Sequence, residues 1–156
     1  MKLFRTANFV FFDIYTNLKL TIGIPETQLN QLQVVTDTGD IYVGPILASE
    51  YRVISDTGSI KMDIQDGVIN AETNTGEITA SLVHISQNIR AISDTGDIII
   101  QTAEAPQALR TKLSADSGTI KVTLPNYQDG HIGEGGPLVE LISDTGNLGI
   151  EQYSGK

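Results

Sequence analysis

The sequence predicts an all-β fold, a single-stranded parallel β-solenoid with about 20 residues per coil. Three observations predict it. A ten-residue pattern centred on Asp-Thr-Gly, or a close variant of it, occurs six times. The glycines of successive copies are separated by 19, 18, 20, 22 and 28 residues, a period typical of stacked repeats. Apolar residues alternate on both sides of each glycine, as they do in strands with one buried face.

Length and composition indicate one domain of ordinary size, residues 1–156. The chain has 156 residues, of which 40% are hydrophobic and 19% charged, close to the roughly 150 residues of a typical domain. Its formal net charge of −9 repels phosphate backbones and anionic lipids, which argues against nucleic-acid or membrane-surface binding. With no cysteine, the chain has no disulfide, no thiolate nucleophile and no Cys-ligated metal.

Residues 1–33 are predicted to form an N-terminal cap with a degenerate first coil. An open solenoid exposes strand edges, which a terminal segment should cover. Residues 9–16 and 19–24 have the pattern of two strands around Asn17. The apolar run 9–12 ends at Asp13, shorter than the roughly seven to fifteen residues of a signal peptide core, so no export signal is expected. No apolar run reaches the roughly 18 residues of a membrane span.

Residues 34–152 are predicted to form six glycine-repeat coils, for six to seven coils in all. Residues five before and two and four after each glycine are apolar in every copy, and those three before it are small. The alternation changes phase at the glycine, so the chain must turn there. Glycine permits the positive φ of a tight corner, and the preceding Asp or Asn is expected to accept backbone hydrogen bonds. This turn ladder consists of Asp37, Gly39, Asp56, Gly58, Asn74, Gly76, Asp94, Gly96, Asp116, Gly118, Asp144 and Gly146.

A β-hairpin at each Thr-Gly is the alternative architecture. It would pair Val34 with Val43 and Thr36 with Ile41 across a two-residue loop. The solenoid is favoured because the period suits one coil and because the isoleucines after the glycines would stack inside, on successive coils.

The repeated pattern apolar-x-Ser/Thr-Asp/Asn-Thr-Gly-Asp-Ile-x-apolar, between residues 18 and 152, resembles that of the putative adhesin family. The segment LKLTIGIPETQLNQLQVVTDTGDIYV from Leu18 is similar to the family's lead-in of a strand, a proline and the first glycine repeat. The resemblance implies a right-handed parallel β-solenoid, no catalytic residues, and association with the cell surface or envelope.

Two motifs suggest a catalytic or a metal-binding site, and both are better explained as residues that form turns. Asp56-Thr57-Gly58-Ser59 matches the catalytic loop of aspartic proteases, but the tripeptide recurs along the chain, and copies stacked one per coil do not form an opposed carboxyl pair. The ladder carboxylates would lie about 4.8 Å apart and repel by roughly 0.9 kcal/mol in water. Bound Ca²⁺ is the alternative to hydrogen bonding there. No cofactor and no metal site is predicted, since the chain has two histidines.

Two surfaces are candidates for binding. The long interval between Gly118 and Gly146 is predicted to project as a loop, either a tolerated insertion or a ligand site. Its candidate residues are Tyr127, Asp129, His131 and Glu134. Residues four before each glycine should face outward, and four of the six are apolar, which predicts a contact surface or a face covered by the segment before Val34 or by residues 102–110. They are Val35, Ile54, Glu72, Ile92, Ser114 and Ile142.

The predicted function is therefore a non-enzymatic binding or scaffolding module with a protein or glycan partner. The alternative is a cytoplasmic structural protein that self-assembles end to end through its strand edges. A β-helix enzyme acting on carbohydrate is less favoured, because such enzymes need paired carboxylates or basic residues in a groove, and the ten basic residues are scattered.

Overall fold

The computed structural model describes the backbone of residues 2–6, 9–14 and 28–153, and the side chains of residues 28–153. These residues form strands and turns, with no helix among them. In chain order the strands are β1 (Lys2–Thr6), β2 (Phe9–Ile14), β3 (Leu29–Thr38), β4 (Ile41–Val43), β5 (Ala48–Thr57), β6 (Ile60–Ile64), β7 (Val68–Thr75), β8 (Ile78–Leu82), β9 (Ile89–Thr95), β10 (Ile98–Thr102), β11 (Leu109–Ser117), β12 (Ile120–Thr123), β13 (His131–Ile132), β14 (Leu138–Thr145) and β15 (Leu148–Gln152).

The strands form two sheets. The nine-stranded sheet has the order β1-β2-β3-β5-β7-β9-β14-β11-β13, and the six-stranded sheet has the order β12-β15-β10-β8-β6-β4. The pairings are parallel except for β1 with β2 and β11 with β13, which are antiparallel. Each glycine repeat gives the strand before its glycine to the first sheet and the strand after it to the second. We call this strand–turn–strand element a repeat unit.

Equivalent residues of neighbouring repeat units lie side by side. Val34 pairs with Val53 and Ile41 with Ile60, both in parallel. The hairpin alternative, which pairs Val34 with Val43, is therefore wrong. The change of phase at each glycine instead passes the chain from one sheet to the other, so that both strands of a unit direct apolar residues inward.

The last two repeat units are exchanged relative to the chain order. The final unit, β14–β15, lies between β9–β10 and β11–β12: Leu148 pairs with Ile98 on one side and with Ile120 on the other. The prediction that coils follow one another in sequence holds for the first four units and is wrong for the last two. The 28-residue interval after Gly118 is long enough for the chain to return past one unit.

The core lies between the two sheets and is built from the alternating apolar residues. The residues two after the glycine are 0–8% exposed in five units, including Ile78 and Ile98 at 0%. Full burial of such a side chain contributes roughly 1.5–3 kcal/mol. The exception is Ile120, at 48% exposed, in the unit β11–β12 that ends the stack.

The N-terminal strands extend the nine-stranded sheet. β2 pairs in parallel with β3, and β1, which the sequence pattern does not predict, pairs antiparallel with β2. The first repeat strand begins at Leu29, before the predicted boundary at Val34, because Leu29 and Leu32 enter the core at 2% exposure. The turn predicted at Asn17 and the strand predicted over 19–24 lie outside the described residues.

Candidate functional site

The glycine turns pack backbone against backbone. Gly96 has φ +147°, and a Cβ there would lie 2.0 Å from the carbonyl oxygen of Gly76. Its N–H donates to Thr145 O at 2.8 Å, and the equivalent N–H of Gly76 donates to Thr95 O at 2.9 Å. The turns therefore form a continuous hydrogen-bonded edge along the stack, from which any side chain is excluded.

Buried hydroxyls support this edge. The small residue three before the glycine donates from its Oγ to the carbonyl oxygen of the neighbouring unit's glycine. The distances are 3.3 Å for Ser55 to Gly39, 3.0 Å for Thr73 to Gly58, 3.1 Å for Ser93 to Gly76 and 3.0 Å for Ser143 to Gly96. The sequence signal for this role is the column of small residues three before each glycine. A description of that column by size alone leaves out the hydroxyl groups that make these hydrogen bonds.

The ladder acids Asp37, Asp56, Asp94, Asp116 and Asp144, with Asn74, are exposed. The hydrogen bonds that link neighbouring turns come instead from the residue after the glycine: Asp40 Oδ1 accepts from Ser59 N at 2.8 Å, and Asp97 Oδ1 from Asn147 N at 2.7 Å. Within residues 28–153 no three His, Asp or Glu side chains are grouped to hold a metal ion. Calcium binding by the ladder stays the untested alternative to the predicted absence of a metal site.

Replacing the buried hydroxyl should cost more than replacing the neighbouring ladder acid. Ser93→Ala leaves the Gly76 carbonyl without its donor in a site where Ser93 is 1% exposed, and we expect a loss of about 1–2 kcal/mol in unfolding free energy. Asp94→Ala, at an exposed position, should change it by no more than about 0.5 kcal/mol. Urea denaturation measures the unfolding free energy of both variants. A larger loss for Asp94→Ala than for Ser93→Ala would mean that the acid, and not the hydroxyl, stabilises the turn.

The long segment between β12 and β14 is predicted to project as a loop, and most of its residues are exposed, but three of its side chains pack against the stack. Leu124 and Ile132 are 7% and 3% exposed, and Tyr127 packs against the core. The hydroxyl of Tyr127 lies 2.7 Å from Thr111 Oγ1. The apolar side chains are buried because this segment closes part of the end of the stack as it returns to β14.

The four candidate residues of this segment do not form one site. Tyr127 faces the core, whereas Asp129, His131 and Glu134 are exposed. His131 Nδ1 lies 3.3 Å from the carbonyl oxygen of Asp129, in a local turn closed by hydrogen bonds between Gln128 and His131.

The outer face of the nine-stranded sheet carries three rows of side chains, because alternate residues of a strand point to the same side. The charged row contains Arg52, Asn70, Arg90, Glu140 and Lys112. The apolar row contains Val35, Ile54, Glu72, Ile92, Ile142 and Ser114. The acidic row is the exposed Asp and Asn column of the turn ladder.

An ion-pair network joins three strands of this face to the strand β14. Arg90 Nε lies 3.2 Å from Glu140 Oε2, Arg90 Nη1 lies 3.2 Å from Glu72 Oε1, and Lys112 Nζ lies 2.7 Å from Glu140 Oε1. The hydrogen bond from Lys112 is the main cause that lowers the pKa of the Glu140 carboxyl, and the positive charges of Lys112 and Arg90 add to it. Glu140, on the inserted strand β14, is thereby bound to both neighbouring strands.

A shallow groove of about 260 Å³ opens beside this network. Val68 and Leu138 give it apolar walls, and Arg90 and Glu140 lie at its charged side. Asn88 Oδ1 accepts a hydrogen bond from Leu138 N at 2.8 Å, which fixes the strand start at the groove. In the strand register the charged row lies between the apolar walls of the groove and the apolar row.

The described segments leave the apolar row uncovered. β2 lies edge to edge with β3 and so extends the sheet. Ala103 and Glu104, in the predicted covering segment 102–110, donate to Leu82 and Val83 at the margin opposite the glycine turns. The row is half-buried among its neighbours, with Ser114 exposed.

Comparison with known proteins places the chain in a family. A solved structure of a putative cell adhesion protein from Clostridium sporogenes ATCC 15579 is similar in fold, with a TM-score of 0.50 and 14% sequence identity. The match covers 67% of this chain and 55% of the other, so the chain corresponds to about half of that protein's length. No curated protein sequence matches at a significant level. The family model described as Toastrack DUF4097 matches residues 15–151, and the chain therefore belongs to the Toastrack DUF4097 family.

Proposed function

We propose that this chain is a non-enzymatic binding module whose contact surface is the outer face of the nine-stranded sheet. The observation that carries the proposal is the apolar row on that face. Parallel sheets are ordinarily covered on both sides, and here one side faces the core while the described residues leave the other open. This row of valine and isoleucine, interrupted by Glu72, lies between the charged and acidic rows and suits a protein or glycan partner that lies flat across the strands.

The arrangement of polar groups supports a role without catalysis. The charged groups at the groove, Arg90 and Glu140, are engaged in ion pairs. Asp56 is exposed beside Asp37 and Asn74 in a parallel stack, where no carboxyl of the described residues opposes it across a cleft. Catalytic carboxyl pairs require such opposition.

We further propose a right-handed solenoid of six to seven coils that works at the cell surface or envelope. The preference of parallel crossover connections for the right-handed sense supports the first part. The description of the similar Clostridium sporogenes structure as a cell adhesion protein supports the second. No helix in the described part of the chain has the length and apolar character to cross a bilayer.

Self-assembly is the second candidate function, and the exposed end of the stack favours it. Ile120 is 48% exposed there, although it occupies a column that is buried elsewhere.

The outer face is tested by adding charge to the apolar row. We expect the double variant Ile92→Lys, Ile142→Lys to lose at least about tenfold in affinity for ligands that the unmodified chain binds on glycan and extracellular-protein arrays, because it removes apolar contact area at the centre of the surface. Ile99→Lys, on the outer face of the six-stranded sheet, is the matched control and should bind normally. Equal losses in both variants, or no binding by the unmodified chain, would contradict the proposal.

A further inference from the structure

The unit β11–β12 ends the stack with an open edge. β12 is the last strand of its sheet, and among the described residues β11 is paired on its outer side only at Leu109 and Arg110, by β13. Beyond these, Thr111 N donates to Gly130 O at 2.8 Å. From Lys112 onward the outer edge of β11 has no backbone partner in the described chain.

The direction of the free backbone groups follows from that last hydrogen bond. N–H and C=O groups of alternate strand residues point to the same edge. Because Thr111 directs its N–H outward, Leu113 and Ala115 direct theirs outward as well. Arg110 N points the other way, to Pro137 O at 2.9 Å. Two residues of β11 therefore present a donor and an acceptor each to an approaching strand.

The residues along this edge are self-complementary. In the segment Lys112-Leu113-Ser114-Ala115-Asp116, Lys112 and Asp116 lie at equal distances from Ser114 in sequence and carry opposite charges. Leu113 and Ala115 flank Ser114 as a large and a small apolar residue, each half-buried. An antiparallel copy of the same strand, related by a two-fold axis at Ser114, places each residue opposite its complement.

We propose that two copies of this chain form a symmetric dimer by antiparallel pairing of their β11 strands about Ser114. Leu113 of one copy and Ala115 of the other exchange N–H···O bonds in both directions, which gives four hydrogen bonds across the axis. Lys112 of each copy pairs with Asp116 of the other, and the large side chain of Leu113 lies beside the small one of Ala115. An interface of this kind is isologous, as in most two-fold dimers.

The dimer also covers apolar surface that the fold leaves exposed. Ile120, at 48% exposed, and Val122, half-buried, belong to the same terminal unit as β11. They lie at the end of the core and come to face their counterparts in the second copy. Because the paired segment is short and each chain carries a net charge of −9, we expect weak, reversible association with a dissociation constant on the order of 10 µM.

A second copy fits this edge better than an unrelated strand does. The open unit carries Arg110, Lys112 and Lys121, three of the ten basic residues of an acidic chain. Lys112 is 68% exposed although it is paired with Glu140, so one side of its ammonium group is free for a carboxylate. Asp116 supplies that carboxylate from the second copy in the same strand register. The proposal is independent of what the outer face binds.

Charge reversal tests the register directly, by sedimentation velocity on the full chain between micromolar and millimolar concentration. We expect the unmodified chain to dimerise, and Lys112→Asp and Asp116→Lys each to raise the dissociation constant at least about tenfold, because each creates a like-charge pair. Mixing the two single variants should restore association. One variant carries a carboxylate at both positions and the other an ammonium group at both, so each of the two cross-axis pairs of the mixed dimer combines opposite charges. Lys61→Asp and Asp63→Lys, exposed on β6 of the other sheet, make the same charge changes and should leave dimerisation unaltered.

Three results would overturn the proposal. The unmodified chain stays monomeric at millimolar concentration, or the two single variants associate as it does, or the mixed variants stay monomeric while the unmodified chain dimerises. Circular dichroism and melting of each variant establish that it is folded. Asp116→Lys also serves as the variant that retains the Lys112–Glu140 ion pair.

Discussion

Gly96→Ala should unfold the protein or cost at least about 4 kcal/mol in unfolding free energy. Two effects add at this position. An alanine at φ +147° is strained, and its Cβ would lie 2.0 Å from the oxygen and 2.5 Å from the carbon of the Gly76 carbonyl. The carbonyl has no room to retreat, because it also accepts from Ser93, and moving it would separate the turns on either side. Urea denaturation and soluble yield measure the loss.

Alanine substitutions at two further glycines distinguish the cost of backbone strain from the cost of the steric conflict. Gly135 has φ +74°, and a Cβ added there would have no atom within 4 Å, so Gly135→Ala isolates the backbone term, about 1–2 kcal/mol. Gly149 has neither feature, since the atom nearest to an added Cβ is Ile99 Cγ1 at 3.8 Å, and Gly149→Ala should leave stability unchanged or slightly raised. If Gly96→Ala cost no more than Gly135→Ala, the close packing of the turns would be refuted.

The architecture of one repeat unit is predictable from the sequence because its glycine marks where the first strand ends and the second begins. The alternation changes phase at each glycine, which specifies the turn, and the flanking columns then specify the buried faces. Ala91 and Ile98, on the two sides of Gly96, are both 0% exposed as the pattern requires. The parallel stacking follows from the period, since identical columns bury best against one another.

The hydrogen bonds of the turn involve a different residue from the one that the motif predicts. The motif predicts that Asp94 accepts backbone hydrogen bonds, but Asp94 lies exposed, while Ser93 is buried and donates to Gly76 O. The two are adjacent in a strand and point to opposite faces. Ser93 is two residues from Ala91 and therefore points to the core with the apolar residues of its strand. The alternation alone is thus sufficient to predict that Ser93, rather than Asp94, is buried at the turn.

The exchange of the last two units is not predictable from the repeat pattern, because β11 and β14 fit it equally well. One residue carries a signal. Every unit in the interior of the stack has a hydroxyl three residues before its glycine, and the unit β11–β12 has Ala115 instead. In chain order Ala115 would leave the Gly96 carbonyl without a donor, whereas Ser143 supplies it in the observed order, at 3.0 Å. Ala115 is then placed in the terminal unit.

Engineered disulfides should show whether the last two repeat units are exchanged, because each introduced cysteine pair either cross-links or does not. The chain has no native cysteine, so each pair of introduced thiols is unambiguous. Gln101→Cys with Glu151→Cys should cross-link, because these residues are direct partners on β10 and β15. Thr123→Cys with Glu151→Cys should do so as well, since Thr123 on β12 pairs with Glu151 from the other side.

The decisive variant combines Gln101→Cys with Thr123→Cys. In the observed order β15 separates these residues, which places their Cα atoms about 9.6 Å apart, beyond the roughly 7 Å that a disulfide spans. In a solenoid stacked in chain order they would be neighbours, and this pair would cross-link in place of the pair between Gln101 and Glu151. Thiol titration in denaturant and mass spectrometry of the linked peptides distinguish the two patterns. Because β14 and β15 are synthesised after β11 and β12, the observed pattern also requires β11 and β12 to wait for β14 and β15 before they find their partners.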